Sequence, residues 1–572
     1  MRCLVPKIQF AHETNLTVPT ARQDRSLHMH QVATHRRKSA SWRRLAAASV
    51  GVGLGLFPLA HGATADETPQ APKFSVAGGR YEHTVAVELK AERGETIRYT
   101  TDGSIPQKSS RAYGGRPIRI SKDTNLTARA FKGNKVGAFK SAGYLIRKGE
   151  QPIARMMILS DVHVGDYGAD RDRWTSYFDT IGGVLGKPDA ILSNGDMIND
   201  NGDGRGKDHQ MVARIFKENL QRKGMNATKV LMAYGNHDAS LADVRAGYPK
   251  EWFPDSGDGY YRTEVKGIPV VTVNTENYSA AQGAWLRTQL AQISANPAYR
   301  DLPIIVGGHK PVPGTVLDGQ QTANPALAQD MARFPRAVYF SGHSHLNLND
   351  PRAIHQKNFT AVNDSSSSYI EFDHGYQMLD AEGKLAGRFE TPTAQGLAVE
   401  IYRGRTVINR INLNADLHDI YTGGKWSANW KPPYQSDGTL AGEPWEIKTA
   451  GGDAKVVRNF TYTDANRNRR APRWTSSHPL SAQTGEDGRL ALRIEQAKDD
   501  ELVYHYKVRV TRADNGTEVL TTKVANRFDV VPAADSMDIP VPAERDGVKY
   551  RAEVIAVDAQ GNQSQVAVKV LK

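Results

Sequence analysis

Met156-Met157-Ile158-Leu159-Ser160-Asp161-Val162-His163 is the stretch on which the reading of the fold turns. Four consecutive apolar residues suit a short strand buried on both faces, and the polar Ser-Asp-x-His cluster follows at once. The pattern recurs. Ala190-Ile191-Leu192 runs into Asn194-Gly195-Asp196, and Val230-Leu231-Met232-Ala233 into Gly235-Asn236-His237-Asp238. Ile304-Ile305-Val306 runs into Gly307-Gly308-His309, and Ala337-Val338-Tyr339-Phe340 into Gly342-His343-Ser344-His345. Val270-Val271-Thr272-Val273 is a further apolar run. Helical stretches are expected between these runs, at roughly 173–186, 207–223, 281–295 and 325–334; Ala281, Trp285, Leu286, Leu290 and Ile293 share one apolar face. Buried strands alternating with helices predict an α/β layer architecture. In open sheets of that kind ligands gather at the carboxyl ends of the strands, so clusters distant in sequence converge. Glycines beside them permit tight turns and close backbone approach.

The clusters hold Asp, His and Asn but no sulfur, because the single cysteine is Cys3. Oxygen and imidazole donors suit Mn, Fe, Zn or Co. A carboxylate shared between two cations offsets their repulsion, so a two-metal site is expected.

Outward from this core the text changes character. Residues 355–412 read as closing strands of the same domain, with Gly404 between Leu397–Tyr402 and Thr406–Ile411. Residues 413–465, rich in Trp, Pro, Gly and Asn, read as an irregular connector in which Trp426, Trp430 and Trp445 are packing residues. Residues 72–147 alternate apolar and polar side chains between turn clusters such as Asp102-Gly103-Ser104, which predicts a small β-sandwich. Residues 466–572 alternate likewise, as in Val503–Val510 and Lys549–Val557. The expected organisation is a leader over 1–65, a β-sandwich over 66–148, the α/β domain over 149–412, the connector over 413–465 and a second β-sandwich over 466–572.

Three resemblances bear on this plan. Tyr99-Thr100-Thr101-Asp102-Gly103-Ser104-Ile105-Pro106, followed by Ala128-Arg129-Ala130-Phe131, resembles the β-sandwich at the C-terminal end of chitobiase and hexosaminidase enzymes. Asp558-Ala559-Gln560-Gly561-Asn562-Gln563-Ser564 resembles the last hairpin of fibronectin type III domains. Asp-x-His, Gly-Asp, Gly-Asn-His-Asp, Gly-His and Gly-His-x-His, in that order, resemble the calcineurin-like metallophosphoesterases over roughly residues 150–412.

The last resemblance implies a four-layer αββα sandwich and assigns roles. Asp161, His163 and His345 would bind the first metal, Asn236, His309 and His343 the second, and Asp196 would bridge them. The two ions, divalent or mixed-valence, would generate a bridging hydroxide that attacks phosphorus in line with the leaving oxygen. His237 would lie over the phosphate as an acid or charge stabiliser, and Asp238 would orient its imidazole. Purple acid phosphatases place a tyrosine ligand three residues after the bridging aspartate, where this chain has Asn199. The text Ile191–Asp200 looks closer to the cyclic-nucleotide phosphodiesterase-like branch. His209, His355 and His374 are expected on the surface or in loops. Asn199 and Asp200 either touch substrate or shape a loop, and Ser365–Ser368 form a solvated turn or a mobile rim.

The length of 572 residues implies three or four domains, and 39% hydrophobic with 24% charged residues excludes collagen-like, coiled-coil and polytopic membrane classes. Of 74 basic and 62 acidic residues, nine and two fall in residues 1–65, so the remaining chain is close to balanced and specific nucleic-acid binding is not expected. His35-Arg36-Arg37-Lys38, the apolar stretch Leu45–Ala60 and Gly62-Ala63-Thr64-Ala65 read as an export signal cut after Ala65. A secreted or periplasmic protein without a membrane span in its mature form is expected. Its function reads as hydrolysis of a small-molecule phosphoester, with diesters slightly favoured. The alternatives are a broad phosphomonoesterase or nucleotidase that scavenges phosphate, and a glycan- or surface-binding protein with a non-catalytic central scaffold. The flanking β-domains would make any glycan or cell-surface contact.

Overall fold

Seven strands of the central domain point their carboxyl ends toward one region, and two sheets arrange them. A computed structural model describes residues 68–165, 170–316, 321–371, 377–379, 385–386, 390–391, 393–414, 438–484, 489–526, 535–542 and 547–571, all within one compact unit, 66–572. The expected leader, Trp426, Trp430 and His374 lie outside the described residues.

The first sheet has the order Lys229–Met232, Ala190–Ser193, Ala154–Leu159, Ala394–Tyr402, Arg405–Asn414, Trp445–Lys448. Its first three strands are parallel and the rest antiparallel. The second has the order Tyr261–Val265, Ile268–Thr272, Ile304–Gly307, Ala337–Ser341, Thr360–Asn363, Ile354–Gln356, with the four middle strands parallel. Helices occur at Asp170–Leu185, Asp208–Arg222, Ala280–Ala295 and Pro325–Met331, close to the periodic stretches expected. Ser279 caps the third of these by accepting from Gln282 N, as a serine does ahead of a helix.

Side-chain alternation divides the second sheet between two cores. Val270, Ile305, Val338, Phe340 and Val362 join the core shared with the first sheet and with Trp174, Phe178 and Phe216 of the first two helices. Val271, Ile304, Val306, Tyr339 and Ala361 face Leu286, Leu290, Leu327 and Met331 of the later helices. Both faces of these strands are thus buried, which is why they read as continuous apolar runs.

The connector is not irregular throughout. Trp445–Lys448 is a strand paired with Arg405–Ile408, and Asp453–Arg458 is helical. An edge strand only four residues long is hidden in turn-rich text. Trp445 is buried with the Arg410 guanidinium 4.6 Å from its ring.

Ahead of the central domain a five-stranded sheet and two strand pairs enclose a core of Val87, Leu126, Ala128 and Tyr144. This unit is clamped to the first sheet by Glu400. The carboxylate is 1% exposed and accepts from Arg80 Nε at 2.9 Å and from Arg147 Nε. After the central domain, a three-stranded sheet (Leu480–Thr484, Leu490–Glu495, Ser536–Pro540) and a four-stranded sheet (Glu518–Ala525, Val503–Arg512, Tyr550–Asp558, Ala567–Leu571) share one core. Among the described residues no helix is long and apolar enough to cross a membrane.

Candidate metal centre

Parallel strands of both sheets deliver the polar clusters to one place. Asp161 and His163 follow Ala154–Leu159, Asp196 follows Ala190–Ser193, and Asn236 follows Lys229–Met232. From the second sheet, His309 follows Ile304–Gly307, and His343 and His345 follow Ala337–Ser341.

Two groups of three donors result, Asp161–His163–His345 and Asp196–His309–His343, with the donor atoms of each within 4.8 Å of one another. In the first, His345 Nε2 is 2.9 Å from Asp161 Oδ1 and 3.4 Å from His163 Nε2. In the second, His309 Nε2 is 3.1 Å from Asp196 Oδ2 and 3.1 Å from His343 Nδ1. Asn236 joins this second group, its Oδ1 at 3.1 Å from His309 Nε2. Asp196 Oδ2 also stands 4.0 Å from His163 Nε2, which places it between the groups. His309 Nδ1 lies 2.9 Å from the Asn194 carbonyl oxygen, so this nitrogen carries the proton and donates, turning Nε2 toward the other donors.

The backbone is strained to achieve this. Among the described residues eight non-glycine residues have positive φ, and five are donors: Asp161 at 50°, His163 at 45°, Asp196 at 53°, His343 at 64° and His345 at 51°. Each such conformation costs on the order of 1 kcal/mol, and its concentration here is a mark of function. Two glycines make the room. A Cβ on Gly342 would stand 2.2 Å from Asp161 Oδ2, and one on Gly235 would stand 2.2 Å from Asp196 Oδ1.

Burial opposes charge at both carboxylates, yet the imidazoles prevail. Asp161 is held well below the usual carboxylate range by His345, His309 and His163, and Asp196 is lowered to about 2, chiefly by His309. Burial pushes His163 down to about 3; it does the same to His343, where the His309 charge adds to it. Against its own burial His309 is raised to about 10 by Asp196 and Asp161, and His345 is raised by Asp161. The paired carboxylates therefore call for positive charge, which protons supply here and divalent cations would supply in their place. Hard oxygen and imidazole donors, mostly buried and without sulfur, fit such ions.

His237 borders the first group. Its backbone N–H donates to Asp196 Oδ1 at 2.8 Å, and its ring lies edge-on to His163 with centroids 5.1 Å apart. Asp238 corrects the expectation that it orients this imidazole. Its buried carboxylate accepts instead from the backbone N–H groups of Asp196 (2.9 Å), Met197 (2.7 Å), Ile198 (3.4 Å) and Gly235 (2.9 Å). A carboxylate with four amide donors around it stitches the Gly195–Ile198 turn to the Gly235–Asp238 turn and has no capacity left for a side chain. Burial raises it to about 6.

Other expectations also change. His209 is buried, with Nε2 at 3.0 Å from the Asp238 carbonyl oxygen and Nδ1 at 2.7 Å from the Tyr248 hydroxyl. His355 is buried in a strand, its Nε2 3.0 Å from Asp464 Oδ1. Asp200 shapes its loop by accepting from the backbone of Gly202, Asp203 and Arg205. Ser365–Ser368 are buried rather than solvated, and Ser367 N donates to the Ser160 carbonyl at 3.0 Å.

Sequence reasoning missed the layer behind the donors. Buried Asp364 accepts from Ser160 Oγ at 2.6 Å and from Asn194 Nδ2 at 2.6 Å, and Ser160 Oγ also contacts Asp161 Oδ2. Burial raises the Asp364 carboxyl to about 7. A signal existed, since Asp364 directly follows the parallel strand Thr360–Asn363 as the other clusters follow theirs.

Comparison with known proteins agrees with this geometry. Residues 154–347 match the family described as calcineurin-like phosphoesterase, and residues 76–140 the family described as chitobiase/beta-hexosaminidase C-terminal domain. The chain therefore carries a calcineurin-like phosphoesterase domain preceded by a chitobiase C-terminal-like domain, and it is a metal-dependent phosphoric ester hydrolase. Comparison with curated proteins returned no match. Among solved structures, a dimetal phosphatase from Danio rerio is similar at 11% identity and TM-score 0.34, over 52% of this chain and 100% of that one. A purple acid phosphatase from yellow lupin (Lupinus luteus) seeds is similar at 12% identity and TM-score 0.32, over 67% and 74% of the two chains. PhoD is similar at 9% identity and TM-score 0.30, over 61% and 88%. At these scores the likenesses carry no weight of their own beside the domain match and the geometry.

Proposed function

We propose that the chain hydrolyses phosphate esters, diesters ahead of monoesters, at a centre that holds two metal ions. Asp161, His163 and His345 would hold one ion, Asn236, His309 and His343 the other, and Asp196 would bridge them. The observation that carries this is the pair of three-donor groups joined through Asp196. Bound there, divalent ions would supply Lewis acidity toward phosphoryl oxygens and lower the pKa of water to near neutrality. The chain's own residues do the rest. Asp238 fixes the turns that carry Asp196 and Asn236. His237, half-buried at the edge of the first group, would stabilise charge on the phosphoryl group or give a proton to the leaving oxygen, a role supported by its ring lying 5.1 Å from that of His163.

The test is turnover of p-nitrophenyl phosphate against bis-p-nitrophenyl phosphate with added Mn²⁺ or with chelator. Mn²⁺-dependent turnover faster on the diester is expected, and a faster monoester would identify a phosphomonoesterase instead. Absence of metal-dependent turnover on both would leave a scaffold. The finer organisation belongs to the same reading: four layers, αββα, supported by the division of the second sheet between two cores, and a fibronectin type III-like C-terminal sandwich supported by its three- and four-stranded sheets. Glycan contact through the chitobiase C-terminal-like domain and export directed by residues 1–65 complete it.

A further inference from the structure

The buried turn Ser365–Ser368 ends in Tyr369, whose half-buried ring lies on both imidazoles of the first donor group. Its centroid is 4.3 Å from that of His345 and 5.7 Å from that of His163. Most donors beneath are buried; Tyr369, His237 and His343 are half-buried and Asn236 is exposed. A molecule approaching the centre from solvent meets these four side chains.

Beyond Glu371 the next described residue, Gln377, is held by another domain. The chain up to Glu371 is tied to the donors. Glu371 N donates to the His345 carbonyl at 2.9 Å, and Ile370–Glu371 pairs with Glu390–Thr391. Gln377 lies against the strand Glu518–Ala525 of the C-terminal sandwich. Its N–H donates to the Lys523 carbonyl at 2.8 Å and its carbonyl accepts from Ala525 N at 2.8 Å. Its side-chain Oε1 accepts from Thr522 Oγ1. Met378–Leu379 then pairs with Leu385–Ala386, and Leu385 packs on the C-terminal core. Backbone pairing along a sheet edge together with an apolar anchor is a means of fixing position.

We propose that the C-terminal sandwich is a positioning element of the phosphoesterase site: by holding Gln377 and Leu385 it sets Tyr369, which contacts the ester substituent that is not the leaving group. Tyrosine offers a large, rigid and partly polar face at low entropic cost, so a substituent with a planar or apolar face is preferred there. The proposal rests on the phosphoesterase reading and deepens it.

Two diesters isolate the effect. Bis-p-nitrophenyl phosphate and ethyl p-nitrophenyl phosphate release the same phenolate and differ only in the group retained. In Tyr369→Ala the ratio of their kcat/KM values should fall about tenfold in disfavour of the bis-aryl ester, mainly through KM, with metal content unchanged. Tyr369→Phe should keep the ratio. Leu385→Asp and Gln377→Pro should each lower the ratio in the same direction, although both lie in the segment held by the other domain. Using two anchor variants, each with metal content and circular dichroism measured, separates loss of the anchor from loss of the fold. An unchanged ratio in Tyr369→Ala overturns the contact. A wild-type ratio in both folded anchor variants overturns the positioning role. Absence of Mn²⁺-dependent turnover of either ester by the wild-type protein would overturn the phosphoesterase reading itself, before any variant is compared.

Discussion

The two sheets of the central domain contribute unlike chemistry to one centre. The sheet through Ala154–Leu159 supplies Asp161, Asp196, Asn236 and one imidazole, His163; the sheet through Ile304–Gly307 supplies His309, His343 and His345. Neither three-donor group belongs to a single sheet, because each combines a carboxylate from the first with at least one imidazole from the second. The centre is therefore a property of the interface between sheets. Each sheet alone would carry buried donors without partners, and the shared core of Ile158, Leu192, Ile305 and Phe340 is what brings them together.

The largest break in this arrangement is Asp196→Ala, which removes the residue lying between the groups. Both metals should be lost and turnover should fall by about 10³-fold or more. Metal analysis beside a diester assay checks this, and substantial retained activity would refute the bridging role. His237→Ala sharpens the comparison by leaving both donor groups intact. Metal content should hold while kcat falls by about 10²–10⁴-fold, and loss of metal would make His237 a ligand instead.

Glu400→Ala probes the first sheet away from the centre. It would leave Arg80 and Arg147 beside an empty position, at a cost of about 3–5 kcal/mol. Denaturant unfolding should show that loss, with turnover per folded molecule unchanged. The smallest effect is expected from Asp364→Asn on the second sheet. Burial raises the folded carboxyl to about 7, above its unfolded value, so the folded state holds the extra proton. Stability from this group is full below about pH 4 and declines as pH rises toward 7. The Asn variant should gain on the wild-type protein between pH 4 and pH 8 in thermal unfolding scans. A constant difference across that range would mean that Asp364 is ionised throughout.

Much of the centre was legible because strand-end clusters carry a strong local signature. Five apolar runs, each closed by Asp, Asn or His, marked the strand ends, and the resemblance to calcineurin-like metallophosphoesterases picked seven candidate donors among them; the two sheets bring these close together. Asp238 was misjudged for a physical reason: adjacency to His237 in sequence invites a side-chain pairing, whereas its carboxylate turns inward to four backbone amides. His209 was placed on the surface because a histidine beginning a polar helix reads as exposed, yet Gly247 packs against it so closely that a Cβ there would stand 2.3 Å from His209 Cβ. Tyr369 had no signature at all, since its ring meets those of His163 and His345 only through the packing of distant loops.

By itself the sequence determined the chemistry on offer: hard and imidazole donors, no sulfur, at the ends of strands that must be buried because they are apolar on both faces. Only the tertiary structure decided which candidate donors are brought together, which carboxylate serves the backbone, and that a strand edge of the C-terminal sandwich pairs with Gln377. Local composition dictates what each residue can bind and how its strand is buried. Which partners it meets depends on how two sheets and an edge strand pack, and that is set by the sum of many weak contacts along the whole chain.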